Sequence, residues 1–209
     1  NNGTWIGEQD EDSGVNTSDC KFGSCRMFDG EDYVNTNFEP NYQSGDKFTV
    51  SMWIYAIVLQ RGEVQDRFYG GFVENGTDDP SILLQFDDTS CSDGEILFFV
   101  RDDDYNSSDS ICSSVAGTGF WAHIVAVYND TDNKNMTIYI NGVKDATIAI
   151  TSESSGQKDF TGNPLYIGGS NNLGALFEPL NGLIDEVRIY NRSLSNDEIY
   201  QLYVSNLRK

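Results

Sequence analysis

Hydrophobic and polar positions alternate with a period of two along much of this chain. That period turns successive side chains to opposite faces of an extended strand, so it predicts β-structure. Lys47–Val58 (KFTVSMWIYAIV) carries the strongest run, with Phe48, Val50, Met52 and Ile54 on one side and Thr49, Ser51, Trp53 and Tyr55 on the other. Large apolar groups on both sides predict a strand covered on two faces. Further strands are predicted over Phe68–Glu74, Ile82–Asp87, Glu95–Arg101, Phe120–Tyr128, Met136–Ile140, Val143–Thr151, Leu165–Gly168 and Gly182–Tyr190. Asn141-Gly142 separates two of these runs. Both central residues of a type I′ turn need positive φ, which Asn and Gly tolerate best, so a tight hairpin is expected there. Strands recurring about every ten residues, with turn residues between them, point to an all-β sandwich of antiparallel sheets.

One helix is signalled, near the C-terminus. Ser195 is placed to cap it and Glu198 stands at the third helical position, the reciprocal capping arrangement. Leu194 and Ile199 can close the staple across that cap, and Ile199, Leu202 and Tyr203 then share one apolar face. The helix is expected to cover a sheet end and to carry no chemistry.

The 209 residues suit one sizeable domain or two small ones, and neither a dividing linker nor an internal repeat is evident. With 33 acidic and 13 basic side chains the formal net charge is −20. That field repels phosphate backbones and anionic membrane surfaces, so neither nucleic acid nor membrane is an expected partner. No apolar run approaches the length of a spanning helix. Aromatics at 12% argue against a disordered chain despite the acidity. Residues 1–24 read as a polar, acidic N-terminal extension before a sandwich domain over 25–209. Trp5 and Ile6 interrupt that polarity, which predicts that the segment is held by something, as an assembly or strand-donating element.

Cys20, Cys25, Cys91 and Cys112 allow three connectivities. Sequence order favours Cys20–Cys25 and Cys91–Cys112, each closing a local loop. With one His and no Cys-x-x-Cys, disulfides are expected in preference to a zinc site, which places the chain outside the cytosol. Asn-x-Ser/Thr occurs at Asn2, Asn16, Asn75, Asn106, Asn129, Asn135 and Asn191. Nineteen Asn in this composition give about 3 such motifs by chance. The excess is read as glycosylation of a secreted or cell-surface protein; the alternative is an Asn-rich acidic surface suited to salty water. No leader-like segment precedes Asn1, the expectation for a mature, processed chain.

Five segments carry a family resemblance. Met27-Phe28-Asp29-Gly30-Glu31-Asp32-Tyr33-Val34, Phe48–Ile54 (FTVSMWI), Trp121–Ala126 (WAHIVA), Ile138-Tyr139-Ile140-Asn141-Gly142 and Leu180–Ser195 (LNGLIDEVRIYNRSLS) stand in this order. Together they resemble the laminin-G-like domains of the concanavalin A-like lectin/glucanase (jelly-roll) superfamily. The N-terminal extension, the insertion bearing Cys91 and Cys112, and the density of sequons depart from that pattern. The resemblance implies two curved antiparallel sheets of about six or seven strands each. It also implies an extracellular adhesion or glycan-binding module, with a structural calcium ion in many members.

Calcium wants six to eight oxygens. By the resemblance, Asp185 of the last strand would meet a backbone carbonyl near Gly30, with Asp29 beside it, and the ion would pin the first strand to the last. The other reading makes Asp185 a turn residue or cross-strand partner of Arg188. Asp10-Glu11-Asp12-Ser13 and Asp102-Asp103-Asp104 lack calcium-loop spacing and read as solvated acidic loops. Glycoside hydrolysis needs two carboxyls flanking the bond, placed on this scaffold as Glu-x-Asp-x-x-Glu; no such motif occurs, so an enzyme is not expected. His123 alternates with Trp121, Val125 and Val127, and neither a thiol nor a Gly-x-Ser-x-Gly nucleophile is present for it to serve, so it reads as structural. Trp53, Tyr55, Tyr69 and Phe72 are candidates for a sugar-stacking face, although alternating aromatics more often fill a core.

Two functions follow. In the first, the chain is a non-catalytic, glycosylated extracellular protein, a structural subunit of a self-assembling filament or layer. There the tail would add to a neighbour's sheet edge head to tail. In the second, it is a calcium-dependent carbohydrate-binding or adhesion module, and the tail folds back along its own sandwich.

Overall fold

The alternation becomes two stacked layers. The computed structural model describes residues 3–7, 14–39, 41–43, 46–57, 66–72, 80–86, 90–92, 94–101, 108–114, 119–131, 134–151, 157–159, 164–172, 175–177, 179–205 and 207. One seven-stranded sheet runs β1 (Thr4–Ile6), β4 (Tyr33–Asn35), β15 (Tyr166–Ile167), β7 (Asp66–Phe72), β8 (Pro80–Phe86), β9 (Ile96–Arg101) and β10 (Ser108–Cys112). The other runs β13 (Val143–Ala149), β12 (Asn135–Ile140), β11 (Ala122–Asn129), β6 (Lys47–Ala56), β18 (Asn181–Tyr190), β3 (Cys25–Asp29) and β2 (Gly14–Asn16). Two small ribbons join β5 (Asn41–Gln43) to β14 (Gln157–Asp159) and β16 (Ser170–Asn172) to β17 (Ala175–Phe177). The ladders in both sheets are antiparallel, and strands remote in sequence lie side by side, as in a jelly roll.

The core lies between the sheets. Phe48, Val50, Met52 and Ile54 of β6, with Ile124 of β11 and Ile138 of β12, face Ile82, Leu84, Phe98 and Val100 of the opposite sheet. Each such side chain contributes about 1.5–3 kcal/mol by leaving water. Phe48 meets Phe98 edge-on at 6.3 Å and stacks on Tyr128 at 5.1 Å. The Asn141-Gly142 hairpin has φ of 51° and 76°, as its turn type requires.

The second apolar face of β6 and β11 is explained by what lies over it. Val125, Val127 and Tyr139 form a separate cluster with Leu194, Ile199 and Leu202. Helix α1 (Asn196–Ser205) therefore packs on the outer face of the sheet, not on its end. Its cap is reciprocal: the Ser195 N–H donates to Glu198 Oε2 at 2.8 Å, and the Glu198 N–H donates to Ser195 Oγ at 3.3 Å. Tyr139 anchors the helix start by donating its hydroxyl to Asn196 Oδ1 at 2.6 Å.

The N-terminal segment folds back along its own sandwich. β1 pairs with β4, Trp5 opposite Val34, and the Trp5 ring stacks on Phe28 at 5.2 Å. β2 extends the other sheet by pairing with β3. Disulfides join Cys20 to Cys25 and Cys91 to Cys112.

Candidate functional site

The last strand breaks its own alternation. Ile184, Val187 and Ile189 all pack toward the core, so one residue must be looped out between the first two. Along β6, Asp185 stands opposite Trp53 and Arg188 opposite Ser51, which leaves one extra residue in β18. Glu186 adopts a positive φ of 52° there, and its N–H donates to Asp185 Oδ1 at 2.8 Å. The bulge turns Glu186 toward the sandwich edge, where its carboxylate pairs with the Arg188 guanidinium.

That edge opens into a cleft of about 320 Å³ between the N-terminal strands and β18. Val15, Val34 and Ile167 give it aliphatic walls, and Arg26, Asp185 and Glu186 bring charge. The Arg26 guanidinium lies 5.4 Å from the Trp5 ring centroid. A guanidinium donates and two carboxylates accept, so the cleft suits a compact ligand bearing several hydroxyls and one apolar face.

Asp185 is buried, and both its oxygens are engaged. Oδ2 accepts from the Phe22 N–H at 2.8 Å while Oδ1 takes the Glu186 N–H. Burial raises its pKa, against the lowering effect of those two hydrogen bonds. The Phe22 bond clips the Cys20–Cys25 loop onto the sheet. There the Phe22 ring meets Trp53 edge-on at 6.2 Å and the Lys21 ammonium lies 4.2 Å from the Trp53 centroid. Tyr203 of α1 stacks on Trp53 at 5.7 Å. Trp53 is thus 1% exposed and offers no stacking face. Tyr55 is half-buried beside Trp121, with ring centroids 5.8 Å apart. The side chains of Tyr69 and Phe72 lie outside the described residues.

His123 is buried under the same cover. Its Nε2 lies 2.9 Å from Ser51 Oγ, its ring packs 5.1 Å from Trp53, and burial, with a smaller effect of Arg188, lowers its pKa to about 4. Among the described residues His123 Nδ1 and Trp53 Nε1 have no hydrogen-bond partner. A neutral histidine hydrogen-bonded beneath the helix is a structural one.

The expected calcium ligands are not brought together. Asn181, not Asp185, pairs with Asp29, and Ile184 pairs with Arg26, so Asp185 lies about 13 Å further along the ladder. Asp29 Oδ1 instead accepts the Glu31 N–H at 2.8 Å. Asp185, Asp29 and Gly30 do not fit one ion. Arg188 pairs with Glu186, so it is not the partner of Asp185 either. The cluster of Cys91, Glu95 and Cys112 has its two sulfurs in a disulfide, which leaves no thiolates to bind metal. The acidic runs 10–13 and 102–104 lie outside the described residues, as do the sequons at Asn2, Asn75 and Asn106.

Arg26 and Glu186 are the cleft residues that sequence reasoning did not single out. A signal for Glu186 is present: apolar Ile184 and Val187 stand three apart where a regular strand would space them by two. Arg26 carries no comparable mark.

A model of the family Laminin_G_3, described as concanavalin A-like lectin/glucanases superfamily, matches residues 28–200. The chain belongs to this laminin-G-like family. No curated protein sequence matches it. Among solved structures, the binding domain of Paraclostridial Mosquitocidal Protein 1 is similar at 19% identity and TM-score 0.69, over 99% of this chain and 48% of that one. The ligand binding domain of botulinum neurotoxin serotype D, in complex with N-acetylneuraminic acid, is similar at 18% identity and TM-score 0.66, over 99% and 47%. The Ruminococcus gnavus IT-sialidase CBM40, bound to α2,3-sialyllactose, is similar at 17% identity and TM-score 0.59, over 77% of this chain and 84% of that one. The laminin-G-like chain spans about half the length of the toxin domains it matches. These likenesses are of fold.

Proposed function

We propose that this laminin-G-like chain is an extracellular, non-catalytic carbohydrate-binding module, and that the cleft at Arg26, Asp185 and Glu186 holds a sugar unit. One observation carries the reading: at the edge of a lectin-type sandwich, a cleft of about 320 Å³ sets donors and acceptors opposite aliphatic walls. A pyranose needs both, because its hydroxyls donate and accept while its C–H face is apolar. The solved CBM40, matched over most of its own length, is bound to a sialylated sugar, which supports a glycan as the ligand class. The two disulfides support an oxidising, extracellular setting. The test is a glycan array followed by calorimetry on Arg26→Ala and Glu186→Gln. A hydrogen bond to a charged group contributes about 1.5–3 kcal/mol, so each variant should weaken binding about tenfold or more. A wild-type protein that binds no array sugar, or variants that bind as well as wild type, would overturn the reading.

Self-assembly through the N-terminal segment is a second reading, favoured by one observation. β1 is three residues long, ladders among the described residues with β4 alone, and seats Trp5 against Phe28, so the same strand can fill that position on a neighbouring copy. Size-exclusion chromatography of the intact chain and of a variant lacking residues 1–19 tests it. Large species that vanish on deletion favour exchange, whereas a sharp monomer peak at high concentration removes it.

A further inference from the structure

Three sequons meet at one end of one sheet. Asn129 ends β11, Asn135 begins β12, and the two are register partners, with Lys47 opposite Asn129 on its other flank. Tyr190, the last residue of β18, pairs with Thr49, so Asn191 lies just past the same end. The cleft residues Asp185 and Glu186 are further back along β18, beside Trp53.

The local chemistry of the four described sequons differs. Asn191 is exposed, its side chain makes no hydrogen bond among the described residues, and the hydroxyl of Ser193 is turned to the Tyr128 carbonyl at 3.3 Å. At Asn129, among the described residues, the carboxamide oxygen alone is engaged, by the Thr131 N–H at 3.2 Å and Thr131 Oγ1 at 2.7 Å. Asn135 accepts from Thr137 Oγ1 at 3.5 Å. Asn16 is held at both ends of its amide. Its Oδ1 accepts from Ser18 N, Ser18 Oγ and Asp19 N at 2.8, 3.1 and 3.2 Å, and its Nδ2 donates to Met27 Sδ at 3.3 Å. The nitrogen that would carry a sugar there is committed as a donor to Met27, beside the Cys20–Cys25 loop.

We propose that N-linked glycans sit at Asn191 and on the Asn129/Asn135 pair, making one end of the sandwich sugar-covered, and that Asn16 is bare. The transfer joins Asn Nδ2 to the anomeric carbon of a polyprenyl-phosphate-linked oligosaccharide. The bond from that carbon to the phosphate oxygen breaks, the phosphate leaves with the electron pair, and Nδ2 gives up one proton. The sugars stand away from the cleft and leave its mouth open. This inference does not depend on what the cleft binds.

Intact glycopeptide mass spectrometry of the protein from its native source tests it. Sugar mass on Asn191 and on Asn129 or Asn135, with unmodified Asn16, supports the assignment. A bare Asn191, a bare pair or a glycan on Asn16 overturns it. In Asn191→Gln the intact mass should fall by one glycan while the cleft's affinity for its array sugar is unchanged. A fall in neither mass nor affinity also overturns the assignment, and a fall in affinity alone would do so while leaving the binding reading intact.

Discussion

The Phe22 N–H donates to Asp185 Oδ2 at 2.8 Å across 163 residues of sequence, and this bond fastens the Cys20–Cys25 loop over Trp53. Replacing Asp185 by Ala leaves two backbone N–H groups, those of Phe22 and Glu186, without their acceptor. The cost is about 1–3 kcal/mol. Trp53 should also become accessible, read as a red shift of its fluorescence and faster acrylamide quenching. Asp185→Asn retains a carbonyl acceptor and should cost less.

The two disulfides should differ in what they contribute. Cys20–Cys25 has a sequence separation of 5 and Cys91–Cys112 one of 21. By loop-closure entropy, replacing the first pair with Ser costs about 2 kcal/mol and the second about 3. Urea denaturation midpoints of the two double variants check the order. Only the first should change Trp53 fluorescence in the folded state.

Stability should fall with acid because of His123. Its pKa is lowered from 6.5 to about 4 by burial, with Arg188 adding to the effect. Above pH 6.5 it is neutral folded and unfolded. Between 6.5 and about 4 the unfolded chain binds a proton that the folded chain does not, so stability drops through that window. The loss reaches about 3 kcal/mol. Asp185, with its raised pKa, acts in the opposite direction, because the folded chain takes up its proton first as pH falls. Melting temperatures of wild type and His123→Gln between pH 7 and 4 separate the two, and the variant should lose most of the slope.

Gly168 has φ +80°, and a Cβ there would lie 2.1 Å from Cε1 of the buried Phe28 ring. Gly168→Ala combines left-handed strain of about 1–2 kcal/mol with overpacking of about 1–3 kcal/mol. Thermal unfolding should show a loss of at least 2 kcal/mol by that sum.

Much of this architecture can be read from the chain because it follows from local rules. Phe48, Val50, Met52 and Ile54 announce a core strand, Asn141-Gly142 its hairpin, and Ser195 with Glu198 the helix start. Short strands escape such reading. β10 (Ser108–Cys112) buries the polar Asp109 alongside Ile111 and carries Ser108 and Ser110 on its other face, so its alternation resembles a loop. Asp109 is tolerated inside because it accepts from the Thr151 N–H and Oγ1 at 3.0 and 2.9 Å, partners 42 residues away. Period also tells which face a side chain takes but not what covers that face. Its alternation makes Trp53 a sugar-stacking candidate, but Phe22, Lys21 and Tyr203 cover it. The cleft depends on strands brought together from distant parts of the sequence, which is why Arg26 gave no sign of belonging with Glu186.

Amide chemical-shift mapping on isotope-labelled protein tests the binding account most directly. Titrated with its best array sugar, the chain should show its largest shifts at Ser24–Arg26, Val34, Ile167 and Ile184–Val187. Shifts confined to the opposite edges of the two sheets, on β13 (Val143–Ala149) and β10 (Ser108–Cys112), or no saturable shifts with any sugar, would contradict it.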